Sequence, residues 1–297
     1  MANLKEIRGR IKGVKSTQKV TKAMKMVSAA KLKKAQDRML ALRPYAAKMK
    51  EIIENVTAVV NVADIPSKLV EQREVKNVLM VVVTSNRGLC GPFNSNLIKH
   101  TTQFVEENLA DHQANGTLHF ACVGKKGYEF FSKRNYNVIG TQEDFDILTN
   151  LTFERADEIL GNVFEGFESG KYDQVYLCYN EFRNVMAQNR KLDQFLPVTD
   201  DKEEEEAAGP KADYIFEPGR EEILTDLIPK SLKTQFFRAV LESNAAEQGA
   251  RMVAMDAATE NAEELLKTLK LSYNKARQAA ITKEILEIAA GADALEG

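Results

Sequence analysis

Residues 236–262 read FFRAVLESNAAEQGARMVAMDAATENA. They lie within a stretch from Lys230 to Ala290 that contains no proline and a single glycine, Gly249. Apolar residues recur along it at steps of three and four from Leu232 to Ile288, a pattern typical of one long amphipathic helix. Pro229 comes directly before the stretch, at a position compatible with the first helical turn.

The N-terminal segment has the same period. An apolar stripe begins at Leu4 and continues at three- and four-residue steps to Leu42, which predicts a second long helix. Pro44 predicts a break or kink near Arg43, after which the helical pattern resumes.

The lengths of these helices favour a particular arrangement. At 1.5 Å per residue the C-terminal helix would be about 90 Å long and the N-terminal helix about 60 Å. A compact domain of the ~125 residues between them would be only about 35 Å across. Because the helices cannot all pack on such a domain, we expect their apolar stripes to pair as an antiparallel coiled coil that projects from it.

The middle of the chain has a different period. Short β-branched and apolar runs alternate there with helical patterns, which predicts a Rossmann-like α/β domain with a mainly parallel sheet. The predicted strands are residues 78–84, 118–123, 138–139, 175–179 and 191–198. The predicted helices include 94–108, a turn of helix around 130, and 153–167.

These patterns divide the chain into five segments. We predict an N-terminal helix at 1–60, a linker at 61–76, the α/β domain at 77–199, an acidic loop at 200–213, and a short helix followed by the long C-terminal helix at 214–297. Residues 200–206 contain six acids and one lysine, which indicates a solvated loop.

The near-neutral net charge of −2 over 297 residues hides an asymmetry. Residues 1–50 contain fifteen lysines and arginines against two acids, a net charge of +13, and the remainder therefore carries −15. A basic arm indicates an anionic partner, which could be an acidic protein surface, a nucleic acid or a membrane. The regular apolar face, with no aromatic residue before Tyr45, favours a protein.

The sequence offers little for catalysis. Gly88 and Gly91 lack the first glycine of a dinucleotide-binding turn, and the Gly124–Gly127 turn, although similar to a phosphate clamp, fits an ordinary strand-to-helix connection. The three histidines and three cysteines have no metal-binding spacing. We therefore expect no catalytic residues, no metal and no cofactor in this chain.

No targeting or membrane segment is predicted either. The longest strongly apolar run is residues 78–83, far shorter than the ~20 residues that cross a bilayer, and no secretory signal follows the N-terminus. These observations favour a cytoplasmic setting.

Four motifs resemble the gamma subunits of F-type (H+-transporting) ATP synthases of the bacterial type. They occur in the family's order from end to end of the chain: QKVTKAMKMVSAAK at 18–31, SNRGLCG at 85–91, EQGARMVAM at 247–255 and ITKEILEIAAGA at 281–292.

The resemblance implies a central rotor shaft. The two long helices would lie inside a ring of alternating alpha and beta subunits, and the α/β domain would be a foot that contacts the epsilon subunit and the membrane c-ring. Proton-driven rotation would drive ATP synthesis, and hydrolysis would reverse it. The chain itself would be a non-catalytic subunit that binds no nucleic acid. It would be peripheral to the cytoplasmic face of the cell inner membrane and associated with that membrane only through the complex.

The motif match also implies contact residues. Lys19, Lys22, Met24 and Lys25 would face acidic lever segments of the beta subunits, and Arg251, Gln278, Thr282 and Glu284 would make polar contacts with the ring. A seam position is the alternative for Met24, and a hydroxyl bonded to its own backbone is the alternative for Thr282.

Two other functions remain open at this point. The chain could be a nucleotide-binding α/β enzyme with a dimerising coiled coil, which predicts tight ATP or dinucleotide binding. It could also be a nucleic-acid-binding coiled-coil protein, which predicts affinity that falls steeply with salt.

Overall fold

The computed structural model describes residues 4–57, 67–198 and 220–296. The chain forms two compact units, one of Met1–Ala29 with Arg251–Gly297 and the other of Ala30–Ala250. Both units share the two long helices, α1 (Leu4–Thr57) and α6 (Arg220–Glu296). No helix in the described ranges is both long and apolar enough to cross a membrane.

The first unit is an antiparallel helix pair, as predicted. The contacts show that the two helices run in opposite directions. As the residue number rises along α1, the number of its partner on α6 falls: Arg8 contacts Tyr273, Thr21 contacts Thr259, and Lys25 contacts Asp256. The seam is narrow because most of its buried side chains are small or linear. They are Ile7, Thr21, Ser28, Arg251, Met255, Ala262 and Leu266.

The second unit contains a five-stranded sheet in the order β3-β2-β1-β4-β5. The strands are β1 (Val78–Val83), β2 (Leu118–Val123), β3 (Asn137–Val138), β4 (Gln174–Phe182) and β5 (Gln188–Leu196). All neighbouring pairs are parallel except β4 with β5. The prediction of a mainly parallel sheet is therefore confirmed, and the fully buried β1 explains why its sequence is continuously apolar.

Helices cover both faces of this sheet. The remaining helices are α2 (Phe93–Asn108), α3 (Ala110–Ala114), α4 (Lys125–Ser132) and α5 (Phe153–Glu168), with a 3-10 turn at Lys68–Val70. The core under α5 and α6 contains Leu79, Val81 and Val83 of β1, and the core under α2 and α4 contains Val78, Met80 and Val82. Alternate residues of one strand thus supply two separate cores.

The structure differs from the predictions at both helical prolines. Pro44 lies inside α1, and Pro229 lies inside α6, which begins at Arg220 rather than after the proline. Each proline removes one helical N–H donor. Burial of Leu224, Ile228 and Leu232 in the core under α6 explains why that helix continues through Pro229.

Some predicted segments fall outside the described residues. These are the acidic loop at 200–213 and residues 61–66 of the predicted linker. The later part of that linker packs on the α/β fold, since Leu69 and Val70 are buried in the core under α5.

Candidate functional site

The helix pair of the first unit carries a shallow polar groove of about 440 Å³. Lysines from α1 line one side, and acidic and hydroxyl side chains from α6 line the other. The lining residues are Gln18, Lys19, Lys22, Lys25, Met26, Asp256, Thr259 and Glu263. The structure therefore brings three of the predicted contact lysines together.

Two polar contacts cross the seam beside this groove. The Lys25 Nζ lies 2.5 Å from Asp256 Oδ1, and both side chains are roughly two-fifths exposed, at 39% and 45%. Ion pairs this exposed contribute about 0.2–1 kcal/mol. The hydroxyl oxygens of Thr21 and Thr259 lie 2.7 Å apart in a hydrogen bond, on the buried side of the helices. The seam is held by weak contacts that leave Lys19 and Lys22 exposed.

Met24 occupies an intermediate position. Its side chain is partly buried, between the seam residues Thr21 and Ser28 and the exposed residues Val20 and Val27. Val20, Met26 and Val27 are each more than half exposed, at 54%, 61% and 56%. Val27 lies on the predicted apolar stripe yet is exposed, whereas Val20 and Met26 lie off that stripe and were not singled out, although exposed apolar residues of this kind were a usable signal.

The predicted contact residues of α6 separate into two environments. Arg251 is only 8% exposed, so its side chain is held within the chain rather than presented at the surface. Gln278, Thr282 and Glu284 are exposed. Among the described residues, the Thr282 hydroxyl makes no backbone hydrogen bond of the kind that Thr259 makes to the Met255 carbonyl.

Apolar side chains are also exposed near the end of α6. Ile281, Ile285, Leu286 and Ile288 are between 47% and 72% exposed. They lie beyond Tyr273, which pairs with Arg8 near the start of α1. Four neighbouring exposed side chains of this size form an apolar patch near the end of the helix.

The α/β domain lacks the crevice in which this fold class binds nucleotides. Such ligands lie at the carboxyl ends of neighbouring parallel strands where the strand order reverses, here β1 and β4. In this chain α6 occupies that place: the Ser243 hydroxyl donates to the Val83 carbonyl at 3.5 Å, and Ala246 and Ala250 pack with Cys90 and Phe93. Among the described residues, the position beside β1 and β4 that a nucleotide would occupy is therefore filled by α6.

The glycine turn before α4 does not bind phosphate either. The N–H groups of Lys125, Lys126 and Gly127 donate to Asn86 Oδ1, the Ser85 carbonyl and Thr84 Oγ1 respectively. A Cβ atom on Gly124 would lie 2.3 Å from the Thr84 carbonyl oxygen, and Gly124 has φ +102°. Gly124 and Gly127 allow close packing against Thr84, and the N–H groups of Lys125, Lys126 and Gly127 are already paired.

Comparison with known proteins places these features in a family. A family model described as ATP synthase matches residues 3–295. The chain is 50% identical over 304 residues to the ATP synthase gamma chain of Chloroherpeton thalassium, covering 100% of this chain and 99% of the relative. It is 52% identical over 297 residues to that of Flavobacterium johnsoniae, covering both chains fully at 100%.

Solved structures are similar as well. The Tetrahymena thermophila mitochondrial ATP synthase central stalk/c-ring structure contains a chain that matches with TM-score 0.58 and 25% identity, covering 80% of this chain and 99% of that one. The Euglena gracilis mitochondrial ATP synthase rotor matches with TM-score 0.60 and 22% identity, covering 94% and 98%, which supports the fold alone.

Proposed function

This chain belongs to the ATP synthase gamma chain family, and from that premise we propose that it is the central rotor shaft of an F-type ATP synthase. It couples proton-driven rotation of the membrane c-ring to ATP synthesis in the ring of alpha and beta subunits, and hydrolysis turns it in reverse. The chain itself is non-catalytic and binds no cofactor. Its foot, the α/β domain, contacts the epsilon subunit and the c-ring.

The observation that carries this proposal is the uneven charge of the helix pair. Residues 4–29 of α1 contain eight basic residues and one acid, whereas residues 251–291 of α6 contain six of each. The pair is therefore cationic on one side and balanced on the other. When such a rod turns inside a ring, each ring interface meets a different side.

The mechanism follows from this asymmetry. Each catalytic interface of the ring has several conformations, and a contact that favours one of them shifts the population toward it. Rotation of the shaft moves the favoured contact from one interface to the next. Because coupling free energies are reciprocal, ATP hydrolysis in the ring must in turn drive the shaft.

The lysines of the groove suit a sliding contact. We assign Lys19, Lys22, Met24 and Lys25 to contact with acidic lever segments of the beta subunits. The intramolecular pair between Lys25 and Asp256 is half exposed and weak, so the lysine can exchange partners at little cost. Exposed lysine charges attract an acidic partner over a distance without fixing it in one position.

The residues of α6 have more directional roles. We assign Gln278, Thr282 and Glu284 to hydrogen bonds with the ring, because their side chains are exposed. Arg251 is buried within the chain, so its contribution to ring contact is to hold the helix surface around it in place. The exposed apolar residues from Ile281 to Ile288 add an apolar contact at the same end.

Membrane association follows from the partners. The shaft is peripheral to the cytoplasmic face of the inner membrane, and the c-ring tethers it there. Nucleic acid is not a partner, because the cations of α1 are part of a packed helix pair rather than a free basic tail.

Reconstitution tests the proposal. The tagged full chain, expressed in its own cells, should co-purify with alpha, beta and epsilon subunits at one shaft chain per ring, and the complex in vesicles should take up protons on ATP addition. Calorimetry on the isolated chain should detect no tight ATP binding. Stoichiometric ATP binding by the isolated chain, or purification without ring subunits, would refute the rotor function.

A further inference from the structure

The turn that joins β4 to β5 has one well-defined shape. The Oδ1 atom of Asn184 accepts hydrogen bonds from the N–H groups of Met186 at 2.9 Å and Ala187 at 2.8 Å. The Asn184 N–H donates to the Ala187 carbonyl at 3.1 Å. Asparagine is favoured in turns because its side chain bonds the backbone in this way. Residues 182–187, here called the β4–β5 turn, therefore form a firm projection of the sheet.

This turn contacts both long helices within the Ala30–Ala250 unit. The apolar residues of the turn that make these contacts are Phe182 and Val185. The side chains they pack against come from α1 and α6 and are mostly small: Leu32, Ala35, Met39, Ala245, Ala246 and Ala250. The small side chains let the turn approach both helices closely, so one element of the sheet touches both.

Gly249 makes this close approach possible on the α6 side. A Cβ atom at that position would lie 3.4 Å from the Val185 carbonyl oxygen and 3.6 Å from the Phe182 ring. An alanine would make ordinary van der Waals contact. A larger side chain would meet the backbone of Val185 and push the turn away. Because Gly249 has no side chain, it leaves a notch in the surface of α6, and the β4–β5 turn fits into that notch.

The turn is also where α1 is held. Among the side chains of α1 that the structure describes between residues 30 and 53, three are buried: Leu32, Ala35 and Met49. Two of the three lie at the β4–β5 turn. Other described contacts of this part of α1 with the α/β fold include a 3.5 Å hydrogen bond from Arg38 to the Leu151 carbonyl and the packing of the partly buried Ile52.

We propose that the β4–β5 turn is a clamp that fixes α1 and α6 to the sheet, with Phe182, Val185 and Gly249 as positioning residues for torque transfer. This inference rests on the proposed rotor function. Both helices run on from the α/β domain into residues 4–29 and 251–296, so a rotation imposed on the domain is carried along them. A helix that can slip against the sheet converts part of that rotation into internal twist.

The first test uses a matched pair of substitutions at the notch. Gly249→Leu displaces the turn, and Gly249→Ala retains it. Each full chain is assembled into the complete complex in vesicles, and proton uptake per ATP hydrolysed is measured. We expect Gly249→Leu to lose about half or more of the uptake per ATP, and Gly249→Ala to match the parent. Equal ratios for the leucine variant and the parent overturn the clamp and leave the rotor function standing. A parent complex that pumps no protons refutes the rotor function itself.

A second test changes the turn instead of α6. It tests the clamp even if the Gly249→Leu variant does not assemble into the complex. Val185→Ala trims the clamp, while Met186→Ala, at an 86% exposed position of the same turn, is its control. Hydrogen exchange of the α1 amides from 32 to 39 should become about fivefold faster in Val185→Ala, which corresponds to about 1 kcal/mol, and should not change in Met186→Ala. Unchanged exchange in Val185→Ala overturns the clamp.

Discussion

Lys25 of α1 and Asp256 of α6 face each other across the helix pair, with Nζ 2.5 Å from Oδ1 and both side chains roughly two-fifths exposed, at 39% and 45%. A pair this open to water should contribute little to folding. We expect Asp256→Asn to change the free energy of unfolding by less than about 1 kcal/mol. Urea unfolding of the full chain measures this change. A loss above about 2 kcal/mol would mean that the pair is a structural anchor and unsuited to a sliding contact.

Met24→Lys should impair coupling more than folding. The side chain is only partly buried, so a lysine can extend into water, and the free energy of unfolding should change by about 1 kcal/mol or less. An added cation beside the groove lysines strengthens the grip on acidic partner segments, which should reduce proton pumping per ATP. Ala23→Lys, at a neighbouring exposed position, is the control. Equal pumping per ATP in Met24→Lys and the parent would reject this role.

Gly124→Ala should destabilise the α/β domain strongly. Its Cβ would lie 2.3 Å from the Thr84 carbonyl oxygen, and φ of +102° is unfavourable for alanine, so we expect a loss of about 3 kcal/mol or more. Gly88→Ala is the matched control, since nothing lies within 4 Å of its added Cβ. Thermal unfolding of both chains tests the contrast. A small, equal shift in both variants would show that Thr84 does not constrain the turn.

Two of the three buried thiols, those of Cys122 and Cys178, predict a loss of stability in alkali. Burial raises the pKa of Cys122 and of Cys178 from 9.0 to about 12. Each thiol thus stays protonated in the folded chain while it ionises in the unfolded chain above pH 9, so its full contribution is present below pH 9 and declines toward pH 12. At pH 10 the loss should be about 1.4 kcal/mol per thiol.

Cysteine substitution isolates this effect. Cys122→Ala should remove its share of the decline in unfolding free energy between pH 8 and pH 10, measured by urea titration at each pH. The slope in the parent chain serves as the reference. Identical slopes in the Cys122→Ala variant and the parent would show that the thiol is not desolvated.

Local pattern was sufficient for most of the α/β domain. The β-branched run that became β1 is buried on both faces, and the period of α5 matched its buried residues, so propensity and tertiary packing agree there. The prolines are a different case. Pro229 is unfavourable inside a helix, yet the core formed by Leu224, Ile228 and Leu232 outweighs that cost. Burial of this kind depends on contacts distant in sequence, which a local pattern does not report.

The sequence indicated some residues of the candidate site and missed others. The motif match indicated Lys19, Lys22 and Lys25 as contact residues, and the structure places all three along one groove; their contact with a partner stays a prediction. Burial of Arg251 was not apparent, because a motif match carries no information on which side of α6 faces inward. The clamp at the β4–β5 turn was also missed, since it joins Phe182, Leu32 and Gly249 from three distant segments.

The two units are joined by shared helices rather than by a flexible connector, because α1 and α6 each run through both of them. Neither unit can be excised as an independent module, since any cut leaves two severed helix stubs. A sequence change in either unit is then constrained by the other unit, because the same two helices belong to both.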